Sequence, residues 1–431
     1  MKKIFILIAA PLFMIQYAAA QNAYTIEQCM ELALQQTPIK QQKAYYATME
    51  TLEKRQVTLH HYPQLSINGQ ASYQSDVITF PSSPVFEGPD IPKDQYRISV
   101  DLNQTLYDGG LVKHKSAAEA SQIAVQQASV EVTLHKVVET VHEIYYRILM
   151  LEQNEAILNE KLELLRTQEK VVAARVRNGV MLPSDQKQFT KQKLNTEQSL
   201  LELSYDINAL REVLGTWTGQ DMQNADLRSG NYTISQQPAA FKRPELDLYR
   251  SQERLYQSMS SVAGVQRRPK LSLFASGGYG SPNPYNIFET DFNTFYIVGL
   301  RINWKILDYG AYKMQKDVNE LQQQIVSTQR EQFEDNLSRE LIQEKALQEK
   351  LAAMIQNDET LLSLQKEIVA SSFSQLQNGA ITSVEYLDEV NEQSTLAIQK
   401  SLHETQLQKS ALRWQIINGN ILNAINTNQY E

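Results

Sequence analysis

Two segments of the chain, about 200 residues apart, alternate between apolar and polar residues. This period of two predicts extended strands over residues 95–107 and 295–307, each with one apolar and one polar face. Residues 108–110 (Asp-Gly-Gly) end the first strand and residues 308–310 (Asp-Tyr-Gly) end the second, and a long helical pattern follows each. The apolar faces are expected to carry Tyr96, Ile98, Val100, Leu102 and Leu106 in the first strand and Tyr296, Val298, Leu300, Ile302, Trp304 and Ile306 in the second.

Two further strands are predicted at about 64–74 and 270–279, because each begins after a proline, Pro63 or Pro269, and then alternates. A first helix is predicted from about residue 25 to residue 59, with Pro38 expected to end or kink it. Residues 75–94 carry four prolines and are predicted to form a long loop.

A sustained heptad runs through residues 111–178. Apolar residues recur there at alternating spacings of four and three, up to Val176, which is typical of coiled-coil packing. Such a helix would be about 100 Å long, so we expect an elongated protein. A return helix is predicted over 184–214. The second half has the same order, with a long helix over 311–377, whose heptad is weaker, and a return helix over 383–418.

The two halves align as an internal twofold repeat. Pro63 matches Pro269, Asp108 matches Asp308, and the turn at 178–179 (Asn-Gly) matches the turn at 378–379. We therefore divide the chain into a first repeat (21–215), an equatorial connector without periodicity (216–240), a second repeat (241–419) and a C-terminal tail (420–431).

Residues 1–20 have the features of a secretory signal peptide. Lys2 and Lys3 precede an apolar run, and small residues at 18–20 form the expected cleavage site. The alternative, a membrane anchor, needs a longer apolar run. No run near twenty apolar residues follows, so no transmembrane helix is predicted. Cys29 is the only cysteine in the chain, which leaves an exported protein without an internal disulfide.

Charge and motifs argue against several other functions. The formal net charge of −8 disfavours nucleic-acid binding. The sequence lacks a Gly-rich phosphate loop, a nucleophile elbow and a CxxC motif, so neither an enzyme nor a cofactor is expected. His135, Glu139 and His142 share one helical face, but their spacing is not H-E-x-x-H. We interpret them as scattered surface residues, and no metal site is predicted.

The apolar faces of the four predicted strands must be shielded from water. The predicted helices are too long to shield them, because they continue away from the sheet, and lipid is the alternative. A sheet in hydrocarbon must close, and single-chain barrels begin at about eight strands, so several chains are expected to share one barrel. Three copies would supply twelve strands. The residues expected to face lipid are Ile98, Val100, Leu102, Val298, Leu300 and Ile302.

In the order and duplication of its motifs, the chain resembles the TolC-like outer-membrane efflux proteins. The motifs are residues 63–65 (Pro-Gln-Leu), 106–110 (Leu-Tyr-Asp-Gly-Gly) and 243–246 (Arg-Pro-Glu-Leu), together with the turns at 178–185 and 378–388. The resemblance implies an α+β membrane protein, a homotrimer whose 12-stranded outer-membrane β-barrel, four strands per chain, continues into a periplasmic α-helical coiled-coil tunnel. Its implied function is the exit duct of a tripartite efflux or type I secretion system. A periplasmic adaptor protein and an inner-membrane pump of the RND or ABC type are the implied partners.

The resemblance also assigns roles to residues near the two Asn-Gly turns. The turns would be tips on which the adaptor docks, formed by Asn178, Gly179, Val180, Leu182, Asn378, Gly379, Ala380 and Thr382. Acidic residues six and nine positions after the second turn's glycine would ring the periplasmic aperture, and these are Glu385 and Asp388, with Asp185 as the counterpart of Glu385 in the first repeat.

The sequence departs from the family at this gate. Ile381 stands where well-known members have an arginine, and Leu376 stands where a gate tyrosine can occur. The closed state is therefore expected to be held by apolar packing through these two residues, or to be held less tightly.

Two alternatives stay open at this stage. Glu385 and Asp388 are also compatible with solvated acids on a helix surface. The whole chain is also compatible with a soluble periplasmic coiled-coil scaffold, although that alternative explains the helices and leaves the duplicated amphipathic strands unexplained.

Overall fold

The computed structural model describes residues 23–80, 88–228, 230 and 241–421. The predicted signal peptide (1–20), part of the predicted loop (75–94), part of the predicted connector (216–240) and most of the predicted tail (420–431) lie outside the described residues. The chain divides into two compact units. The sheet unit takes in 38–134 and 242–337, and the hairpin unit takes in the described parts of 1–37, 135–241 and 338–431.

The described residues contain seven α-helices and six β-strands. The helices are α1 (Ile26–Gln36), α2 (Gln42–Thr58), α3 (Leu111–Arg177), α4 (Pro183–Thr218), α5 (Pro244–Val265), α6 (Ala311–Gln377) and α7 (Ser383–Asn418). The strands are β1 (Ala23–Thr25), β2 (Gln64–Tyr73), β3 (Asp94–Tyr107), β4 (Asp226–Arg228), β5 (Lys270–Ser281) and β6 (Asn293–Asn303). The long helices α3 and α6 have the same length, 67 residues, and the return helices α4 and α7 both have 36.

Strands β2, β3, β5 and β6 form one antiparallel sheet in that order, within the sheet unit. The register places Val100 between Ile67 and Gly277, and it pairs Ala275 with Val298. Because side chains alternate along a strand, this register collects the apolar positions of all four strands on one face. We call this the outer face and the opposite, mainly polar one the inner face.

Strand β6 ends earlier than predicted. The last pair of the ladder joins Asn303 to Lys270, and Pro269, which lacks an N–H, precedes Lys270. Trp304 and Ile306 therefore lie beyond the strand in which they were predicted. The Trp304 indole N–H instead donates to the carbonyl oxygen of Arg267 at 3.0 Å.

An aspartate starts each long helix directly after a strand. The Asp108 carboxylate accepts the backbone N–H groups of Gly110 and Val112, both at 2.7 Å, and so satisfies donors that a helix start leaves free. The Asp308 carboxylate does the same for residues 310 and 312 at 3.1 and 3.4 Å. This is the physical role of the Asp-x-Gly motif that the sequence repeats.

The helices of the sheet unit contact one another in the same order as the strands. An ion pair joins Lys43 of α2 to Glu131 of α3. Hydroxyls of Ser121 and Ser258, 3.0 Å apart, join α3 to α5, and Arg330 of α6 lies 3.1 Å from a carboxylate oxygen of α5. The order is therefore α2, α3, α5, α6, with α2 and α6 as the outer helices.

The first predicted helix is divided into two. Thr25 caps α1 through a reciprocal capping box with Gln28, with bonds of 2.9 and 3.4 Å. Thr37 then leaves the helical conformation, and Pro38 begins a short 3₁₀ turn before α2. Pro38 thus ends the first segment, because the residue before a proline is disfavoured in the helical region.

In the hairpin unit, α3 and α4 form one helical hairpin and α6 and α7 form the other. The Glu152–Arg211 ion pair at 2.5 Å joins α3 to α4, and the His403–Asp358 contact at 2.6 Å joins α7 to α6. The short parallel strands β1 and β4 were not predicted. They lie beside the buried Tyr145, whose hydroxyl is 2.8 and 2.9 Å from carbonyl oxygens of the two strands.

Candidate functional site

The first helical tip is residues 178–182, between α3 and α4. Gly179 has a φ of 74°, the left-handed conformation that ends many helices. The N–H groups of Gly179 and Val180 donate back to the carbonyls of Val176 and Arg175 at 3.0 and 2.9 Å, which is a Schellman motif. Val180 and Leu182 are 65% and 67% exposed, so the tip presents apolar side chains to solvent.

The second tip, residues 378–382, has the same backbone. Gly379 has a φ of 73°, and the N–H groups of Gly379 and Ala380 donate to the carbonyls of Leu376 and Gln375 at 3.1 and 2.9 Å. Residues 378–380 and Thr382 are exposed. The structure thus places every predicted docking residue, in both turns, on the surface at a helix end.

Glu385 is held by the start of its own helix. Its carboxylate accepts the backbone N–H of Thr382 at 2.7 Å and the Thr382 hydroxyl at 2.9 Å, and its N–H donates to that hydroxyl oxygen at 3.3 Å. These bonds favour the charged form and lower the pKa of Glu385. Asp185 matches it in part, accepting the Leu182 N–H at 3.0 Å.

Asp388 is exposed one turn after Glu385. Among the described residues, no hydrogen bond or ion pair engages its carboxylate. The two predicted gate acids therefore share a helix face and differ in chemistry. The Glu385 carboxylate is hydrogen-bonded at a helix terminus, whereas the Asp388 carboxylate is available to solvent or to another molecule.

Leu376 and Ile381 both contact one hydrophobic cluster of the hairpin unit. Leu376 is only 4% exposed and belongs to a hydrophobic cluster between the four helices, and Ile381 packs against that cluster. The buried members of the cluster are Leu165, Val172, Phe189, Val369, Leu376, Tyr386, Leu387 and Val390. Leu376 is thus enclosed by its own chain, whereas Ile381 remains partly exposed. The part of these two residues in holding the gate closed stays a prediction.

The centre of this tip cluster is a residue that the sequence analysis missed. Tyr386 is fully buried, with its ring 6.0 Å from that of Phe189 and 5.3 Å from that of Phe373. Its hydroxyl accepts a hydrogen bond from the buried amide of Gln168, and burial raises its pKa. A tyrosine directly after the capping glutamate was the available signal, because that position begins the buried face of the return helix.

The outer face of the sheet is apolar, and most of it is left exposed by the described residues. Of the residues predicted to face lipid, Ile98, Val100, Val298, Leu300 and Ile302 are exposed and Leu102 is partly exposed. Leu65, Ile67 and Tyr296 extend the same exposed surface across both outer strands. A contiguous apolar face of this kind marks an interaction with membrane or protein.

The inner face carries polar and charged groups. The Asp101 carboxylate accepts hydrogen bonds from Asn68 and from the Ser99 hydroxyl, and Arg97 donates to the Gln70 side chain at 2.7 Å. These residues line a groove of about 670 Å³ along the sheet. One face of the sheet therefore suits hydrocarbon and the other suits water.

The histidines that share a face of α3 are buried, contrary to the prediction. His135 and His142 are 0% and 1% exposed. His135 lies 3.4 Å from Glu139, whereas the His142 ring is 3.0 Å from the Lys409 carbonyl oxygen. Within the described part of the chain, no group of three His, Cys, Asp or Glu side chains could hold a metal ion. No helix in the same part is long and apolar enough to span a membrane.

Comparison with known proteins finds one matching family, over part of the chain. Residues 31–220 match the family described as "Outer membrane efflux protein". This segment belongs to that family. The predicted resemblance is thereby confirmed, and an outer membrane efflux protein is a duct of the outer membrane and not an enzyme. No curated protein matched the chain.

Solved structures support the same fold over the length of the chain. CusC, described in connection with transmembrane channel formation, is 15% identical with a TM-score of 0.71, over 91% of each chain. The CmeC outer membrane channel of Campylobacter jejuni is 14% identical with a TM-score of 0.68, over 92% of this chain and 85% of that one. The outer membrane protein VceC of Vibrio cholerae is 17% identical with a TM-score of 0.66, over 92% and 95%.

Proposed function

We propose that three copies of this efflux protein close one twelve-stranded barrel in the outer membrane, which continues into a periplasmic helical tunnel. The trimer is the exit duct of a tripartite efflux or type I secretion system. The observation that carries this proposal is the sheet itself, whose four strands leave two unpaired edges, β2 and β6, beside an exposed apolar outer face. Open edges cannot be satisfied in hydrocarbon, so other copies must pair with them.

The outer helices of the sheet unit support the same closure. On α2 and just after it, Tyr45, Met49, Leu52 and Leu59 are exposed at heptad spacing, and on α6 so are Met314, Val318, Leu321 and Ile325. We call each of these rows of exposed apolar residues a seam. The seams of α2 and α6 lie at similar distances from the sheet along their helices, because α2 ends next to the sheet and α6 begins next to it. The α2 seam of one copy can therefore pack against the α6 seam of the next copy. Such a head-to-tail contact closes a ring of identical copies.

The hairpin unit has exposed seams of its own. Leu194, Leu201 and Tyr205 are exposed on α4, and Leu361, Leu364 and Ile368 are exposed on α6. Leu194 and Ile368 lie at similar distances from their tips, as do Leu201 and Leu361, at about 1.5 Å per residue. Three copies that join through these seams produce a continuous helical wall. Because each copy contains two repeats with helices of equal length, the wall has nearly sixfold symmetry.

Disulfide cross-linking tests the trimer directly. Leu52→Cys and Val318→Cys, combined in a Cys29→Ser background, should yield covalent trimers on oxidation in outer-membrane fractions. The matched control pairs Val318→Cys with Lys54→Cys, which points to another side of α2 and should leave monomers. If the first pair also leaves monomers, the proposed contact between seams is wrong.

At the periplasmic end, we assign adaptor docking to the two tips and the aperture to the acids that follow the second tip. Exposed small and apolar residues around Gly179, Val180, Gly379 and Ala380 allow close approach of another protein. An inner-membrane pump, of the RND or the ABC type, delivers the substrate and supplies the energy. Threefold symmetry turns the exposed Asp388 into a ring of three carboxylates, with Glu385 fixing the helix start beside it.

Planar-bilayer recordings test the gate. Asp388→Ala should weaken cation selectivity and block by multivalent cations, because clustered carboxylates attract and bind such ions. Glu385→Ala should change selectivity less, since that carboxylate is already bound at the helix terminus. Glu367→Ala, an exposed acid on α6, serves as the control and should behave like the parent. Unchanged selectivity in Asp388→Ala would place the aperture elsewhere.

A further inference from the structure

The loop between β5 and β6, residues 282–292, contacts the inner face of the sheet. Tyr285 of this loop meets Phe295 of β6 edge to face, with ring centroids 5.7 Å apart. Both residues line the inner-face groove together with Asn68, Arg97 and Asp101. Since β5 and β6 connect to helices at their other ends, this loop lies at the end of the sheet farthest from the helices of its unit.

Phe295 provides a flat base for Tyr285. It is buried and lies across Gly278 on the neighbouring strand, where an added Cβ would come within 2.6 Å of its ring. Glycine at this position therefore lets the Phe295 ring lie against the sheet. Tyr285 packs on that ring and remains 53% exposed, so much of its side chain extends beyond the sheet surface on the inner side.

A carboxylate at the centre of the loop fixes its shape. Glu289 accepts side-chain amide N–H bonds from Asn283, Asn286 and Asn293 at 2.7, 3.0 and 2.9 Å. Its backbone carbonyl also accepts the N–H of Asn283 at 2.9 Å. Hydrogen bonds through Glu289 thus connect the beginning of the loop, at Asn283, with the start of β6, at Asn293.

The far end of the loop is anchored on the opposite face. Phe292 stacks against both Tyr96 and Tyr279, with ring centroids 6.1 and 5.6 Å apart. Both tyrosines belong to the outer face. The loop therefore contacts both faces of the sheet at this end, with Phe292 on the outer face and Tyr285 on the inner face.

From this geometry we propose that Tyr285 forms a second constriction of the duct, at its outer mouth. The inference rests on the proposed trimeric barrel, in which the inner face lines the lumen and three Tyr285 rings point inward. Bulky solutes reach the three Tyr285 side chains after they pass the polar section of the lumen around Arg97 and Asp101. The constriction sets an upper size for solutes that pass, independently of the periplasmic gate.

Access from outside the cell measures the constriction without interference from the gate in series. Asn103 lines the inner-face groove and is exposed, so Asn103→Cys in a Cys29→Ser background reports on the lumen. Intact cells carrying the full-length protein are treated with polyethylene-glycol maleimides of increasing size. Tyr285→Ala should raise the labelling rate of the large reagents several-fold and leave the rate of the smallest unchanged.

Three further variants separate size from other effects. Glu289→Ala frees the loop and should also admit the larger reagents. Tyr285→Phe keeps the ring and should match the parent. Phe288→Ala removes a more exposed aromatic residue of the same loop that does not line the groove, and it should also match the parent.

Two results would overturn the inference in distinguishable ways. An unchanged size limit in Tyr285→Ala, with Asn103→Cys labelled by small reagents, means that the lumen exists and that Tyr285 does not narrow it. Failure of even the smallest reagent to label Asn103→Cys in assembled protein contradicts the proposed barrel lumen, and the constriction with it.

Discussion

The two helical tips share a backbone and differ in chemistry. Gly179 and Gly379 have nearly the same φ, and both turns close with the same pair of backbone hydrogen bonds. The first tip then begins its return helix at Leu182, which has no side-chain oxygen and exposes an apolar side chain. The second begins at Thr382, which forms a complete capping box with Glu385.

Because of this difference, two tips with the same backbone suit different roles. The first tip exposes apolar surface at the expense of its helix cap, as a docking surface requires. The second closes its cap through Thr382 and Glu385, as a rigid rim requires. Adaptor docking is thus expected to depend more on the first tip and the shape of the aperture more on the second.

The largest effect is expected in the tip cluster on which both tips rest. Tyr386→Ala should lower the free energy of unfolding by about 3–5 kcal/mol, because it removes a fully buried aromatic ring. Phe189→Ala, on the first return helix, should fall in the same range. Thermal unfolding of the detergent-extracted protein measures both.

Tyr386→Phe isolates the polar contact from the ring. It leaves the buried Gln168 amide without its partner, at a cost of about 1–3 kcal/mol. Val384→Ala, at an exposed position nearby, should change the free energy of unfolding by less than about 0.5 kcal/mol. Equal stability of Tyr386→Phe and the parent would mean that the hydroxyl contributes nothing to the cluster.

Charge placed on the first tip should abolish export and spare assembly. Val180→Asp with Leu182→Asp introduces two carboxylates at exposed positions, so folding should be unaffected while an apolar docking surface is lost. Export of a pump substrate and the amount of outer-membrane trimer are the measurements. The matched variant, Ala380→Asp with Thr382→Asp at the second tip, should reduce export less. The reverse order would assign docking mainly to the second tip.

The caps should respond to mutation in opposite ways. Thr382→Ala should destabilise the protein by about 1 kcal/mol, because it removes the oxygen that accepts the Glu385 N–H. Leu182→Ala has no cap to remove, whereas Leu182→Ser supplies one and should stabilise the first return helix. Melting temperatures compare the three. A loss of stability in Leu182→Ser would show that the apolar side chain itself holds this tip.

The smallest effect is the pH dependence of the second cap. The pKa of Glu385 is lowered in the folded protein, so the stability that it contributes is fully present above its unfolded value, near 4.5. This contribution is lost as the pH falls through the lowered folded value. Glu385→Gln should therefore be less stable than the parent at neutral pH, with the difference shrinking below about pH 4.5. A constant difference at all pH values would exclude the carboxylate charge as its cause.

Much of the fold follows from the sequence because it depends on local periodicity and chain breakers. The helix predicted over 111–178 is observed from Leu111 to Arg177, and the second long helix has the predicted limits, 311–377. Alternation placed Val100 and Val298 on a common apolar face, since side chains of a strand point to opposite sides in turn. The order of duplicated motifs was enough to find the family that residues 31–220 match.

Tertiary structure alone decided which side chains are hidden. His135 was taken for a surface residue and is buried, and Leu376 was taken for a gate residue and is buried too. The surroundings of Leu376 come from helices that are distant in the sequence. The contact of Tyr285 with Phe295 depends on the path of a loop and on a glycine in the neighbouring strand, which no periodic pattern encodes. Periodicity fixes the face on which a residue lies, whereas the packing of non-local elements determines whether that face meets solvent, lipid or the rest of the chain.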